Sequence, residues 1–126
     1  MKIVLSWPDS RLNPNNAKGT NWASRHKMRT AEREGAYWRT KEVIADTPDS
    51  VLAALAASAS VALDITFVAP NKRPRDLDNL LAALKPALDG IAQAIGFDDR
   101  AFDRIVLNRG FGAGQGRVVV ELEPIK

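Results

Sequence analysis

The chain has 126 residues, of which 45% are hydrophobic and 26% charged, a balance typical of one folded domain over residues 1–126. The absence of cysteine excludes disulfide scaffolds, thiol nucleophiles and cysteine-bound metals, and the single histidine excludes histidine-rich metal sites. No run approaches the ~18 apolar residues of a membrane span, and the opening residues lack a secretory pattern. We therefore expect a cytoplasmic protein with no membrane partner.

The net charge is only +3, but the charged residues are unevenly distributed. Residues 1–45 hold nine Lys or Arg against four acids, whereas five aspartates and no glutamate lie between residues 76 and 99. Lys72, Arg73 and Arg75 stand immediately before these aspartates. Local basic clusters are compatible with a polyanionic partner, although many small basic proteins bind nothing acidic.

The first half of the chain predicts a strand, two helical pieces and a second strand. Alternation of Ile3 and Leu5 indicates a strand over residues 2–7, and a polar loop follows over 8–22. A basic helix is expected from Ser24, as its N-cap, towards residue 45, and a shorter helix over 51–57. Strict alternation over 60–69 then predicts a half-buried strand.

The second half predicts a long helix and two strands. The helix is expected over residues 77–95, with Gly96 as its C-terminal cap and a kink or break near residue 82 caused by Pro86. Strands over 102–109 and 117–123 flank a glycine-rich segment, which most simply makes a hairpin. The order β–α–(α)–β–α–β–β predicts an α+β domain with a small mixed β-sheet and helices packed on one side.

The segment with most chemical information is Arg75-Asp76-Leu77-Asp78-Asn79-Leu80, followed by Lys85, Asp89 and the pair Asp98-Asp99. At 100° per residue, Asp78, Lys85 and Asp89 form a narrow polar stripe beside the apolar arc of the predicted helix. Carboxylate oxygens are the ligands that Mg²⁺ prefers, and an adjacent lysine suits charge that develops on a phosphate. The pattern therefore favours metal-activated water attacking a phosphodiester.

Simpler interpretations of the same residues stay open. Asp76 can be a plain N-cap, Asp98 or Asp99 can open a turn, and Lys85 with Asp89 can be a surface ion pair. Glycosyltransferases also use a D-x-D motif, but 126 residues leave little room for a nucleotide-sugar fold. The glycines at 112–116 lack a following Lys-Ser/Thr, so no phosphate-cradling loop and no nucleotide cofactor are expected.

Taken together, Arg75-Asp76-Leu77-Asp78-Asn79-Leu80, Lys85-x-x-x-Asp89-Gly90 and Gly96-x-Asp98-Asp99 resemble the RusA family of Holliday junction resolvases. The resemblance is most specific over residues 70–105, and the element order extends it along the chain. It implies a homodimeric endodeoxyribonuclease of DNA recombination and repair, common in phages and prophages. Such an enzyme binds a four-way DNA junction and nicks two opposed strands with Mg²⁺ or Mn²⁺.

The resemblance also implies roles for individual residues. The catalytic and metal-binding acids would be Asp76, Asp78 and Asp99, with Asp98 the less favoured member of its pair. The functional lysine would be Lys85, but in some members that lysine follows the D-x-D-N motif closely, where this chain has Ala82. Residues 82 and 85 lie on neighbouring parts of one helix face, so Lys85 can serve the same role.

Two hypotheses from different classes follow. In the first, the protein is a metal-dependent, structure-selective endonuclease. In the second, it is a non-catalytic basic DNA-binding protein with the same fold. Both predict phosphate contacts, first from Lys72, Arg73 and Arg75 and then from Lys18, Arg25 and Arg29, although the helix face that carries Arg25 and Arg29 is equally compatible with simple solvation.

Overall fold

The computed structural model describes residues 1–13, 21–112 and 114–125, and it confirms an α+β domain with a four-stranded mixed sheet. The strands are β1 (Lys2–Ser6), β2 (Val61–Val68), β3 (Phe102–Gly110) and β4 (Arg117–Pro124). The helices are α1 (Trp22–Ala45), α2 (Asp49–Ala57) and α3 (Leu77–Ile95), with short 3-10 helices at Ser10–Leu12 and Asp99–Ala101.

The order of the strands across the sheet is β1–β4–β2–β3. β4 pairs antiparallel with both β1 and β2, whereas β2 and β3 run parallel. The expected hairpin between the last two strands is therefore wrong, because β2 lies between them. Burial explains the order: Val118, Val120 and Leu122 of β4 are almost completely buried and require a central strand, whereas β3 is largely exposed and forms an edge.

Parallel neighbours cannot be joined by a tight turn and need a crossover connection. Here α3 is that connection between β2 and β3. The helix packs on the inner face of the sheet through Leu80, Leu84, Leu88 and Ile91. The sheet contributes every second residue to the same core, which confirms the predicted alternation: Ile3, Leu5, Val61, Leu63, Ile65, Phe67, Val118, Val120 and Leu122.

Helix α1 begins two residues before the predicted N-cap. Asn21 is the N-cap, since its side-chain oxygen accepts a hydrogen bond of 2.8 Å from the backbone N–H of Ser24. The prediction of Ser24 as N-cap is therefore wrong, and Trp22 belongs to the helix rather than to the loop. An asparagine side-chain oxygen can accept from the backbone N–H three residues later as well as a serine oxygen can, so the sequence contains two candidate N-caps. Lys18 lies outside the described residues.

Helix α3 has the predicted bounds, and Gly96 ends it in the left-handed region with φ of 102°. A break near residue 82 is wrong, because the helix continues through Pro86. Proline lacks an N–H, so Pro86 cannot donate to the Ala82 carbonyl, and burial of the flanking residues Leu84, Ala87 and Leu88 outweighs that loss. None of the helices in the described ranges has the length and hydropathy that a membrane span requires.

The contact between α1 and α3 depends on a glycine. A Cβ atom on the buried Gly90 would lie 2.2 Å from the carbonyl oxygen of Arg33 and 3.1 Å from the backbone nitrogen of Tyr37. Real side chains do not approach backbone so closely, so the two helices would have to separate. By contrast, a Cβ atom on Gly35, which lies on α1, would meet nothing within 4 Å.

We expect Gly90→Ala to lower the free energy of unfolding by at least about 2 kcal/mol, because it forces the helix backbones apart. Gly35→Ala is the matched control and should raise the free energy of unfolding by about 0.5–1 kcal/mol, since alanine favours the helix. Urea unfolding followed by circular dichroism measures both. Equal effects of the two substitutions would contradict the close approach at Gly90.

A half-buried carboxylate joins α1 to the segment after β1. Glu32 accepts a hydrogen bond of 3.2 Å from the backbone N–H of Asp9. Burial raises the pKa of Glu32 above its ordinary value, the hydrogen bond from Asp9 lowers it in part, and the negative charge of Asp9 raises it again. Ionised Glu32 therefore destabilises the folded state at neutral pH, and this cost disappears as the pH falls below the ordinary glutamate pKa.

We expect Glu32→Gln to stabilise the protein at pH 7 by a few tenths of a kcal/mol, a small gain because the side chain is partly solvated. The glutamine retains an oxygen that accepts from Asp9. In acid, where Glu32 is neutral in both states, the two proteins should unfold alike. Thermal unfolding across this pH range tests the prediction, with the exposed Glu34→Gln as control. A gain that persists unchanged in acid would contradict it.

Candidate functional site

Three segments leave the sheet side by side at one end. Val68, the last residue of β2, pairs with Gly110 at the end of β3 and with Arg117 at the start of β4. β1 also ends against Arg117, so Trp7 follows at the same place. The loop 69–76, which leads from β2 to α3, therefore lies between Trp7 and the residues that follow β3.

These segments enclose a cleft of about 860 Å³, which we call the basic cleft. Its floor is apolar, because Phe67 and Leu80 are buried and Trp7 packs edge-on against Phe67 with ring centroids 6.1 Å apart. Phe111 stands at the rim with 95% of its surface exposed. The volume is within the ~300–1,000 Å³ typical of ligand clefts.

Arg75 organises the loop that forms one wall of the cleft. Its guanidinium donates to the Asn71 side chain at 2.9 Å and to the Arg73 carbonyl at 3.0 Å, and it lies over the Trp7 ring at 5.3 Å from the centroid. Arg109 of β3 donates to the Arg75 carbonyl at 2.8 Å and so joins the opposite wall. Arg75 thus shapes the loop as well as lining the cleft.

One of the two predicted acids of the D-x-D motif lines this cleft, and the other, Asp78, does not. Asp76 lines it, and also lines a second cleft of about 350 Å³ on the other side of Arg75. Asp76 occupies the N-cap position of α3, but its side chain makes no capping bond and instead accepts a 3.4 Å hydrogen bond from Asn79. Asp78 is exposed in the first helical turn. Neither carboxylate forms an ion pair with a residue that the structure describes.

The other predicted acids gather at the far end of α3, where we define the acidic end as Asp89, Asp98 and Asp99. The Asp99 carboxyl is close enough to Asp89 and Asp98 to shift the pKa of each. Partial burial raises the pKa of Asp89, the Asp99 carboxyl raises it further, and the charges of Arg33 and Lys85 lower it. Lys85 forms no direct ion pair with Asp89, so the simple surface-pair interpretation is not observed.

Asp98 and Asp99 differ in how they are engaged. Asp98 caps the short 3-10 helix Asp99–Ala101 through the backbone N–H of Arg100 at 2.9 Å, and its other oxygen pairs with the Arg100 guanidinium at 3.0 Å. These contacts hold the pKa of Asp98 well below its usual range. The turn-opening role considered for this pair therefore belongs to Asp98, and Asp99 is the acid without an arginine partner.

The two groups of acids are separated by about three turns of α3. Asp78 and Asp89 are eleven residues apart, which is about 16 Å along the helix axis. Because Asp99 lies beside Asp89, one copy of the chain does not place Asp78 and Asp99 on one ion, whose ligands would stand within ~2.6 Å of it. Over residues 1–13, 21–112 and 114–125, no three His, Asp or Glu side chains form a group that could hold a metal ion. The three-acid metal site stays a prediction.

The predicted DNA contacts occupy two places. Lys72 and Arg73 are exposed on the wall of the basic cleft, whereas Arg25 and Arg29 lie in the first turns of α1. In the part of the chain that the structure describes, the ion pairs are Arg11–Asp9, Arg39–Glu42 and Arg100–Asp98. Lys72, Arg73, Arg25 and Arg29 therefore form no ion pair with a carboxylate of the described residues.

The sequence interpretation missed the contribution of the glycine-rich segment. It predicted a hairpin loop over residues 110–116 and left open whether that loop contacts DNA, whereas Phe111 lines the basic cleft together with Trp7. One signal was present: an aromatic residue between two glycines, Gly110-Phe111-Gly112, has no neighbouring side chains to bury it. Trp38 is another exposed aromatic residue, with 65% of its surface accessible, but it lies on α1 outside the cleft.

A protein from Xylella fastidiosa (strain Temecula1), described as an uncharacterized protein, is 33% identical to this chain over 123 residues. The match covers 98% of this chain and 76% of the Xylella protein. The chain belongs to the same family as that protein. No family model matches the chain, so the resemblance to the RusA family remains a proposal.

Proposed function

We propose that the protein is a cytoplasmic, metal-dependent endodeoxyribonuclease that resolves four-way DNA junctions by paired nicks in recombination and repair. One observation carries this proposal: the exposed carboxylate of Asp76, which forms no ion pair with any described residue, lines a cleft with basic and aromatic side chains, and the exposed Asp78 follows in the first turn of α3. Basic groups bind the DNA backbone, and the carboxylates supply oxygen ligands for a hard metal ion. The motif resemblance to RusA resolvases agrees with this arrangement.

The donor set fits Mg²⁺ or Mn²⁺, because it consists of exposed carboxylates and contains neither thiol nor imidazole. Asp76, Asp78 and Asp99 would hold the ion, which when bound activates water and neutralises phosphate charge. The residues of the cleft have a separate task. Lys72 and Arg73 hold the DNA backbone close to Asp76 and offset the repulsion between carboxylates and phosphates. Lys85, exposed between the two acid groups, can stabilise charge on the phosphate.

The separation of Asp78 from Asp99 gives a physical reason for a homodimer. Asp78, Lys85 and Asp89 form one exposed stripe along α3, with Asp99 beyond its end. Two copies whose α3 helices run antiparallel about a two-fold axis would bring Asp99 of each copy towards Asp76 and Asp78 of the other. Such a dimer contains two equivalent sites, and a two-fold protein matches the two-fold symmetry of a junction that receives paired nicks.

We expect Asp78→Asn to lower the rate of Mg²⁺-dependent nicking of a synthetic four-way junction about 10³-fold, because loss of a metal ligand removes roughly 4 kcal/mol of transition-state stabilisation. Junction binding should be unchanged or tighter, since a negative charge near phosphate is removed. Gel electrophoresis of labelled junctions, with Mg²⁺ and with EDTA, measures both. The exposed Asp46→Asn is the charge-matched control and should cleave normally. Loss of binding together with cleavage would contradict the assignment.

We expect a mixture of Asp78→Asn and Asp99→Asn proteins to regain nicking that each protein lacks alone. In a mixed dimer one site carries both substitutions and the other carries none, so one strand of each junction is cut. Equal amounts of the two variants are refolded together and assayed on labelled junctions; the product should be single nicks without paired resolution. If the mixture stays as inactive as its components, the acids do not meet across a dimer.

The second candidate function is a non-catalytic DNA-binding protein of the same fold. It is favoured by one observation, that the described residues of a single chain contain no group of three metal-ligating side chains. This alternative predicts junction binding with a steep dependence on salt and no metal-dependent product. The junction assay with Mg²⁺, Mn²⁺ and EDTA therefore separates the two functions directly.

A further inference from the structure

We propose that the basic cleft binds one unpaired DNA base together with its flanking phosphates. The proposal rests on the proposed function for the identity of the polymer, but it assigns a task that cleavage by the acids does not require. It concerns the space between the loop 69–75 and Phe111, rather than the carboxylates themselves.

The apolar surfaces of the cleft indicate a base rather than a duplex backbone. Phe67, Leu80 and Trp7 form a floor that offers no hydrogen-bond donors to phosphate apart from the indole N–H. Phe111 exposes an aromatic ring at the rim, where it gains nothing from the core of its own chain. Bases within a duplex are stacked on each other and cannot present their faces, whereas an unpaired base can stack on an aromatic ring.

The charges around the cleft indicate that the occupant is anionic. Lys72, Arg73 and Arg109 line it, and Asp76 is the one acid among its described lining residues. The guanidinium of Arg109 is fixed by its bond to the Arg75 carbonyl, so this cation does not have to be ordered when a ligand binds. A nucleotide combines the two features that the cleft complements, an aromatic face and a flanking phosphate.

The wall of the cleft depends on close packing of the glycine-rich segment. A Cβ atom on Gly116 would lie 2.7 Å from the Pro70 ring and 3.1 Å from the Trp7 ring. The absence of a side chain therefore lets Gly116 pack against Trp7 and Pro70, two residues that line the cleft. The cleft is built by contacts among three separate segments of the chain.

The position of the cleft explains why a branched substrate would be preferred. Since Asp76 lines the cleft, a phosphate next to a captured base would lie beside the proposed acids. Removing a base from a continuous duplex costs a few kcal/mol, and this cost is smallest where the base is already unpaired or poorly stacked. The cleft would thus favour branch points over continuous duplex without reading sequence.

The test measures fluorescence anisotropy of the full chain with a fluorescein-labelled ten-residue thymidine strand and with a labelled 20-base-pair duplex. We expect Phe111→Ala to weaken binding of the single strand about tenfold, because one stacking contact is lost. Duplex binding should change less than twofold, and the dependence of affinity on salt should stay the same because no charge is altered. Phe111→Trp should retain single-strand affinity. Trp38→Ala removes an exposed aromatic residue of α1 that lies outside the cleft, and it should have no effect.

Three results would overturn the proposal: wild-type protein that does not bind the thymidine strand, Phe111→Ala that binds it as wild type does, or equal losses for strand and duplex. The first would direct attention to an acidic peptide as the occupant. Because Phe111 is exposed, its substitution does not threaten folding, and circular dichroism verifies this. If the protein binds the strand through Phe111 but cuts no junction, base binding by the cleft is supported and the proposed nuclease activity is rejected. If the protein cuts junctions and Phe111→Ala has no effect on strand binding, the nuclease activity is supported and base binding by the cleft is rejected.

Discussion

The parallel pairing of β2 with β3 is the constraint on which the rest of the structure depends. Parallel neighbours need a crossover, and α3 provides it, packed on the inner face of the sheet. The carboxyl ends of both strands then meet at one end of the sheet, where open sheets flanked by helices commonly bind ligands. The same crossover places the start of α3 beside the basic cleft and its end beside β3. Cleft and acidic end are thus separated by a rigid helix.

The sequence predicted those elements whose signal is local. The alternation of β2 and the bounds and glycine cap of α3 follow from periods of two and 3.6 residues, which neighbouring residues determine. The hairpin prediction failed because proximity along the chain favours pairing of β3 with β4, whereas burial of Val118, Val120 and Leu122 requires two partners for β4. The prediction of the α1 N-cap was wrong because Asn21 and Ser24 both have side chains that can cap a helix.

The candidate site was predictable in its residue types but not in its arrangement. Spacing along a helix identified the stripe of Asp78, Lys85 and Asp89, and the structure exposes all three. Spacing did not reveal that the turn after Gly96 returns Asp99 to Asp89 rather than to Asp78, because that path is set by how the chain enters β3. Phe111 was missed for a similar reason. A residue in an irregular segment shows no periodicity, and its place in the cleft depends on strand pairing.

Binding and cleavage would make different demands on this fold. The basic cleft is formed by residues of one copy of the chain and is braced by the contacts of Arg75 and Arg109, so the proposed DNA binding would need no second copy. The acids of one copy are held about 16 Å apart by a continuous helix, which cannot bend to unite them at an acceptable cost. Under the proposed function, a lone copy could therefore bind but not cut, and nicking would require a second copy on the same DNA. Nicking by a single copy would be suppressed because α3 keeps the acids of that copy apart.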